Sequence, residues 1–293
     1  MDKKKTPVRT AVFAWTLVAG TLPSVGLADV LASSLASMAP NSWQRLNSNQ
    51  YQDVWTPKAQ WPTLASPESN ISAWSGAAWD SSRKDLLIWG GGIGDEQGNE
   101  VYIFHTTTGL WERGALPSQI TRTGLITHVV DGIYSAPISG ESWDNLVYLP
   151  NVDRMAVIGV SREGLTFQAL DGKPTGPYFW DPARADPWRV SGTTGSHVNP
   201  GAYPGVVGGE MWQNRNNFAP ATNAAALGVT AHVSVGSKDV VYFAGRYDQL
   251  WRYTVTDLNP ANDLWERIGT RPAYGGDGRG AADIDPRRGL LVQ

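Results

Sequence analysis

The sequence predicts an all-β protein built from a repeated unit of four short strands, and three observations carry that prediction. The first is a composition of 32 Gly, 14 Trp and 10 Tyr against only 4 Met, which favours turns and half-buried pleated surfaces over helices. The second is a tryptophan that recurs before a short polar segment. The third is a glycine-terminated apolar segment upstream of the last three of those tryptophans.

Composition and charge exclude several classes of protein. The chain of 293 residues is 41% hydrophobic and 17% charged, which provides enough apolar material for a core. A formal net charge of -3 and a pI near 5.8 leave no basic excess, so we expect no nucleic-acid partner. The absence of cysteine excludes disulfides, thiolate zinc sites, iron–sulfur clusters and cysteine nucleophiles.

Residues 1–28 have the features of a bacterial-type export signal. Three lysines and an arginine lie within residues 3–9, an apolar run covers 11–20, and small residues lead to a cleavage site after Ala28. The apolar run is shorter than the roughly 20 residues of a membrane span, and an anchoring helix is the alternative. We therefore expect a secreted or periplasmic protein with no membrane span after cleavage. Residues 29–40 are interpreted as a small-residue linker or frayed helix.

The repeat defines three complete units. A tryptophan opens each predicted fourth strand, at Trp43, Trp111, Trp188 and Trp265. Upstream of the last three lie an aromatic third strand, an apolar second strand and a first strand. These predicted strands cover 71–79, 85–92 and 101–104, then 145–149, 154–159 and 177–180, then 229–235, 239–245 and 250–253. Four strands in the same order three times predict a β-propeller.

These residues resemble the kelch repeat of galactose-oxidase-like central domains. The pattern has a glycine pair closing the second strand, complete at Gly90–Gly91 and partial at Gly159 and Gly245, followed by the aromatic strand and the tryptophan. The resemblance implies a kelch-like β-propeller over residues 41–293, with three complete blades plus partial ones, and tryptophans packed between neighbouring blades.

The last unit contains only its first strands. Residues 278–293 match the beginning of a further unit and stop within its second strand. We expect the chain to be a fragment whose propeller is incomplete at the C-terminus. Its exposed blade flanks and unpaired edge strand would favour aggregation or self-association, and an open arc that dimerises is the alternative.

Long connections between strands indicate a ligand-binding face. They cover 91–100, 114–140, 160–176 and 190–228, and the segment 208–218 within them is rich in aromatic and amide side chains. Such a surface suits carbohydrate, with rings stacking on sugar faces and amides reading hydroxyls. The alternative is a segment that folds onto its own blade with Trp212 as an anchor. The predicted ligand-binding residues are Trp212, Gln213, Asn214, Arg215, Asn217, His197, Glu210 and Arg279, with Phe218 as a second ring.

Other chemical candidates are weaker. Asp95, Glu96, Asn99 and Glu100 surround a glycine as in a calcium loop, but their spacing does not match an EF-hand, which favours a solvated acidic turn. The four histidines show no ligand spacing, so we predict no metal site and no cofactor. Four carboxylates of the long loops are candidates for an acid–base pair: Asp131, Glu141, Glu163 and Glu210.

The sequence therefore predicts an exported kelch-like module that binds a glycan or an envelope protein. The alternative is a propeller enzyme acting on sugars, similar to periplasmic sialic-acid epimerases and mutarotases, or lyase-like. A copper-radical oxidase is excluded because its tyrosine–cysteine cofactor needs cysteine. The G-x-S-x-G elbow and the phosphate-binding P-loop are absent from the sequence.

Overall fold

The protein is all-β, with repeated four-stranded antiparallel sheets. The structure, a computed structural model, describes residues 29–62, 68, 72, 74–91, 97–123, 126–132, 135–159, 175–192, 207–220, 228–245, 249–270 and 280–292. The predicted export signal at 1–28 lies outside the described residues.

Within the described residues the chain forms one α-helix, several 3-10 turns and eighteen strands. The helix α1 covers Val30–Ser37, and the 3-10 turns cover Tyr51–Val54, Lys58–Gln60, Pro182–Arg184 and Pro260–Asn262. The strands are β1 Gly76–Asp80, β2 Asp85–Trp89, β3 Tyr102–His105, β4 Leu110–Arg113, β5 Ile120–Thr123, β6 Ile126–Val129, β7 Leu146–Leu149, β8 Arg154–Val157, β9 Tyr178–Trp180, β10 Arg189–Val190, β11 Val207–Gly208, β12 Trp212–Asn214, β13 Val229–Val235, β14 Lys238–Ala244, β15 Gln249–Val255, β16 Leu264–Thr270, β17 Asp283–Asp285 and β18 Leu290–Val292.

The three large sheets repeat one topology. Their strand orders are β1-β2-β3-β4, β7-β8-β9-β12 and β13-β14-β15-β16, each with antiparallel neighbours. Smaller pairs are the hairpins β5–β6 and β17–β18 and the parallel pair β10–β11. The predicted four strands are confirmed in the first and third units, and the first three are confirmed in the second unit, where a tight turn joins the first two strands.

The fourth strand of the second unit was predicted in the wrong place. Trp188 does not open it; Trp188 lies in a turn before β10 and is 47% exposed. The fourth strand is β12, and residues 181–211 form a long connection where a short one was expected. The lone strand predicted at Trp43 is also wrong, since residues 42–47 form no strand and Trp43 is fully exposed.

The first strands of successive units lie side by side, β1 with β7, β7 with β13, and β13 with β17. At the turns after these strands, Arg83 donates to both carboxylate oxygens of Asp153, at 2.6 and 2.8 Å. Asp239 of the third unit likewise accepts the backbone N–H groups of Asn151 and Val152. These contacts join the turn of each unit to the next.

A second set of contacts joins the opposite ends of the first strands. The carbonyl of Trp74 accepts the N–H groups of Ser142 and of the residue after it, at 3.0 and 3.2 Å. Asp144 continues the series, because its carbonyl accepts from Thr230 and its carboxylate from the N–H of Ala282. Burial raises the pKa of Asp144 to about 6. Successive units are therefore tied together at both ends.

The core lies between the sheets and contains large aromatic side chains. Trp89, Trp180, Phe179 and Phe243 are fully buried. The prediction that the repeat tryptophans pack between units is confirmed for Trp265, whose ring centroid lies 5.4 Å from that of Phe218, in the segment after β12 of the second unit. Trp111 instead contacts Phe104 of its own sheet and Tyr51 of the N-terminal segment, so these contacts do not place it between units.

The segment 29–61 packs along the first sheet. The predicted linker contains α1, whose N-terminus is capped by Asp29. Further on, the side-chain amide of Asn49 pairs with the backbone N–H and carbonyl of Trp111, as a neighbouring strand would. Arg113 then donates to the carbonyls of Val54 and Trp55. In the part of the chain that is described, no helix has the length and apolar character needed to cross a membrane.

Candidate functional site

A polar cavity of about 400 Å³ lies where the second unit meets the segment that follows β6. This volume falls in the range of about 300–1,000 Å³ that is typical of ligand pockets. Its described lining consists of Asp131, Ser135, Ala136, Ser191, Gly192, Glu210, Trp212 and Asn214. Two carboxylates, two hydroxyls, one amide and one indole therefore converge on one space.

Three separate segments position these side chains. Asp131 lies in a compact turn after β6, in which the Ser135 hydroxyl donates to the Asp131 carbonyl at 2.9 Å. Ser191 follows β10, which is held between Leu116 and β11 by parallel pairing. The carbonyl of Gly192 accepts the N–H of Glu210 at 3.0 Å. This bond brings two parts of the connection 181–211 together at the cavity wall.

Glu210 is the exposed acid of the cavity. Its backbone is left-handed, with φ at 44°, a conformation that non-glycine residues rarely adopt. The next residue, Met211, returns to the sheet by donating its N–H to the Ser191 carbonyl. Glu210 and Ser191 therefore line the same cavity, and the buried hydroxyl of Ser191 has no hydrogen-bond partner among the described residues.

The prediction that Trp212 and Phe218 expose their rings to solvent is wrong, because these residues are only 7% and 2% exposed. Trp212 packs on Trp89 with ring centroids 5.6 Å apart, and its indole N–H donates to the carbonyl of Asn99. Trp212 is thus a buried anchor, but it packs on the first unit rather than on its own unit as the alternative interpretation expected. One part of it still forms a wall of the cavity.

The other predicted residues divide between the two faces of β12, because successive side chains on a strand point in opposite directions. Asn214 shares the cavity side with Trp212, and its Oδ1 accepts the N–H groups of Gly176 and Asn216. Gln213 points the other way and donates to the carbonyl of Leu258.

Arg215 also faces away from the cavity, toward the third unit. Its guanidinium bonds both carboxylate oxygens of Asp263, at 2.6 and 2.9 Å, and both side chains have no exposed area. The same guanidinium donates to the carbonyls of Asp257 and Leu258 and to the side chain of Gln213. Asn217 donates to Asp263 as well. These residues hold two units together, so their assignment to a ligand surface is corrected.

Two predicted binding residues, His197 and Arg279, lie outside the described residues, as do Asp95, Glu96 and Glu163. Glu141 is buried away from the cavity lining and accepts the indole N–H of Trp143 at 3.1 Å. Ligand binding by Glu210, Trp212 and Asn214 stays a prediction.

The prediction of a solvated acidic turn at residues 95–100 is wrong for Asn99 and Glu100, which lie in the described part of that segment. Asn99 and Glu100 are both 1% exposed. Glu100 accepts hydrogen bonds from Thr56 at 2.6 Å and from Tyr102 at 3.1 Å, and burial raises its pKa. Asn99 pairs with Ser118. Neither side chain forms a calcium loop, and the described residues contain no group of three or more His, Cys, Asp or Glu that could hold a metal ion.

No protein-family model and no curated protein matches the chain. The fold and the cavity define an all-β protein of repeated four-stranded sheets with a polar cavity built on its second unit.

Ser135 and Ser191 were not predicted as site residues, although both lie in the long connections. Their only sequence signal is that position, because a lone serine in a loop has no spacing that marks it. Asp131 was predicted as one of four loop carboxylates, and it shares the cavity with Glu210.

Proposed function

We propose that the three sheets are successive blades of a kelch-like β-propeller. The support is the side-by-side row of first strands from β1 to β17, tied at both ends between neighbouring units. In a propeller these innermost strands surround a central axis. Small-angle X-ray scattering of the purified chain tests this proposal, because a curved arc and an extended row of sheets give different distance distributions.

We propose that the protein is a carbohydrate-binding module whose ligand occupies the polar cavity. The observation that carries the proposal is the convergence of Asp131, Ser191, Glu210 and Asn214 on one ligand-sized space. Carboxylate oxygens accept from sugar hydroxyls, and a serine hydroxyl can donate and accept. The edge of Trp212 adds an apolar wall, which suits the C–H face of a sugar ring.

A glycan array followed by isothermal titration calorimetry tests this function. Glu210→Gln removes a charged acceptor, and losing a hydrogen bond to a charged group of about 1.5–3 kcal/mol weakens binding by about tenfold or more. The matched control is Glu266→Gln, the same chemical change on the exposed strand β16, which should leave binding unchanged. Absence of any glycan signal, or equal losses for both variants, would count against the proposal.

The second candidate is an enzyme acting on sugars, because Asp131 and Glu210 line the same cavity. Two carboxylates facing one substrate can divide the roles of acid and base. Turnover of a bound oligosaccharide, measured as product by mass spectrometry, distinguishes the two functions. Asp131→Asn should abolish turnover while binding persists. If the wild-type protein binds the oligosaccharide without turning it over, the enzyme hypothesis is excluded and only the binding module remains.

We also propose that the chain is exported and that its mature form begins at Asp29. N-terminal sequencing of the protein from the envelope fraction of an expressing bacterium tests this. Uncleaved protein in the cytoplasm would refute it.

We propose that a second copy of the chain packs on the outer part of the third sheet. A groove of about 330 Å³ between this sheet and the hairpin β17–β18 is lined mainly by apolar side chains, among them Leu250, Ile268 and Leu291. Ile268 is 41% exposed, and exposed apolar patches favour association. Light scattering should give a dimer that Ile268→Glu converts to monomer; a wild-type monomer would contradict this.

A further inference from the structure

Two backbone hydrogen bonds fix Ser191 in the wall of the polar cavity. Its N–H donates to the carbonyl of Leu116 at 2.9 Å, and its carbonyl accepts the N–H of Met211 at 3.0 Å. The first bond extends the parallel pairing of Val190 with Leu116, and the second ties Ser191 to the residue that precedes β12. The backbone of Ser191 is therefore held from two sides, which gives its side chain a fixed origin beside the cavity.

The hydroxyl of Ser191, unlike its backbone, is unpaired. The residue has no exposed area, and its Oγ makes no hydrogen bond with any of the described residues. Ser142 is equally buried but uses its hydroxyl twice, donating to the carbonyl of Trp89 at 3.0 Å and accepting the N–H of Gly76 at 2.7 Å. Buried polar groups are nearly always hydrogen-bonded, so an exception needs an explanation. The Ser191 hydroxyl holds no part of the described fold together, which points to a role in binding.

A serine hydroxyl that is unpaired can turn toward a ligand at little cost. The side chain has three staggered rotamers, and no hydrogen bond within the described part of the chain holds the Oγ of Ser191 in its present one. Rotation about χ1 therefore breaks no hydrogen bond there, and it can bring Oγ toward a molecule in the cavity that Ser191 lines. A serine hydroxyl both donates and accepts, which matches the hydroxyl group of a sugar.

We propose that Ser191 determines which sugars the cavity accepts, by turning its hydroxyl toward one hydroxyl group of the ligand and binding it; this rests on the proposed carbohydrate-binding function. The fixed backbone sets where this contact forms, and the unpaired hydroxyl gains its partner only when a ligand is bound. A sugar that lacks the matching hydroxyl leaves the Ser191 hydroxyl unpaired, so the cavity discriminates against it.

Calorimetric titration with the methyl β-glycosides of glucose, galactose and mannose, and with the 2-, 3-, 4- and 6-deoxy form of each, tests the proposal. For a glycoside that binds, Ser191→Ala should weaken affinity by about two- to tenfold, the effect of one neutral hydrogen bond. One deoxy form should bind the wild type equally weakly, and Ser191→Ala should weaken its binding no further, because both changes remove the same contact. An unchanged affinity in Ser191→Ala, or additive losses for every deoxy form, overturns the proposal and leaves carbohydrate binding intact. Absence of binding by all the parent glycosides counts against both proposals.

Urea unfolding without ligand separates this role from a structural one. Ser191→Ala removes a buried unpaired oxygen, so its unfolding midpoint should be unchanged or higher than that of the wild type. The matched control is Ser142→Ala, the same chemical change at a buried hydroxyl with two partners. Its midpoint should fall by about 0.5–1.5 M, while its affinity for the glycosides stays unchanged. An equal fall in both midpoints would assign the Ser191 hydroxyl to the fold and overturn the proposal.

Discussion

Replacing Asp263 by alanine should cost about 3–5 kcal/mol of unfolding free energy, the range for removing one partner of a buried ion pair. The reason is that Arg215 and Asp263 have no exposed side-chain area, so the variant leaves a buried guanidinium without its counter-charge. Asp263 also accepts hydrogen bonds from Asn217 and Tyr253, and both would lose a partner.

This loss is measured by urea unfolding, with tryptophan fluorescence as the signal. Trp265 is a suitable reporter because it stacks on Tyr253 beside the pair. With an m value of about 2 kcal/mol/M, the midpoint falls by about 1.5–2.5 M. The matched control is Glu266→Ala, which removes the partner of Arg252 in an exposed pair between β15 and β16 of the same unit as Asp263 and should shift the midpoint far less.

A double variant keeps the reasoning testable if Asp263→Ala fails to fold. Arg215→Met combined with Asp263→Ala removes the stranded charge and should recover part of the lost stability. Equal destabilisation by Asp263→Ala and Glu266→Ala, or no recovery in the double variant, would refute the role of the buried pair.

Three further predictions concern the scaffold. Two carboxylates raise the pKa of His105 to about 9, so its stabilisation is complete below about pH 6.5 and is lost as pH rises through 9. The contribution of protonated His105 to the unfolding free energy is about 1–2 kcal/mol after allowing for its partial exposure. His105→Asn should therefore flatten the profile of urea midpoint against pH in that range. Asp144 gives a pH dependence of the same sign in a lower range: its raised pKa, about 6, means that stability falls as pH rises from about 4 to 6, and Asp144→Asn should remove that slope. Gly76→Ala should destabilise by about 1–3 kcal/mol because the added methyl overlaps the carbonyl oxygen of Trp143, whereas Gly269→Ala, with open space at that position, should have little effect in a thermal melt.

The strands of the first and third units could be predicted because their sequence signals are local. The segment 85–89 alternates apolar side chains between two packed faces, and a tight turn of four polar residues precedes it. The segment 238–244 is a mostly buried, largely apolar run that follows the two-residue turn at 236–237. Turn residues and period-2 alternation are properties of neighbouring residues, so one sequence is enough to recognise them.

The fourth strand of the second unit could not be recognised in that way. Trp188 stands 77 residues after Trp111 and 77 residues before Trp265, so the spacing favours it. The actual strand β12 has only three residues and two of them are polar. Its position is set by pairing with β9 across a long connection, and pairing at that chain distance leaves no local pattern.

The same displacement explains which of the predicted residues line the cavity. Once residues 212–215 lie in a strand rather than a loop, alternate side chains must face opposite neighbours. Trp212 and Asn214 therefore reach the cavity, while Gln213 and Arg215 reach the third unit. When these residues are interpreted as a loop, all four side chains are expected on one surface. Only the strand conformation directs alternate side chains to opposite sides.

The cavity lies where the repeat is interrupted, and this has a physical basis. The third-to-fourth connections of the first and third units are short, at 106–109 and 256–263, whereas that of the second unit covers 181–211. The inserted connection supplies Ser191, Gly192 and Glu210 to the cavity. Regular units bury their side chains against one another and leave no space between them. A polar pocket needs chain that is not committed to that packing, held by a rigid frame. The connection 181–211 meets both conditions. Hydrogen bonds to the carbonyl of Gly192 hold it to the residues just before β12, and the chain continues from there into β12.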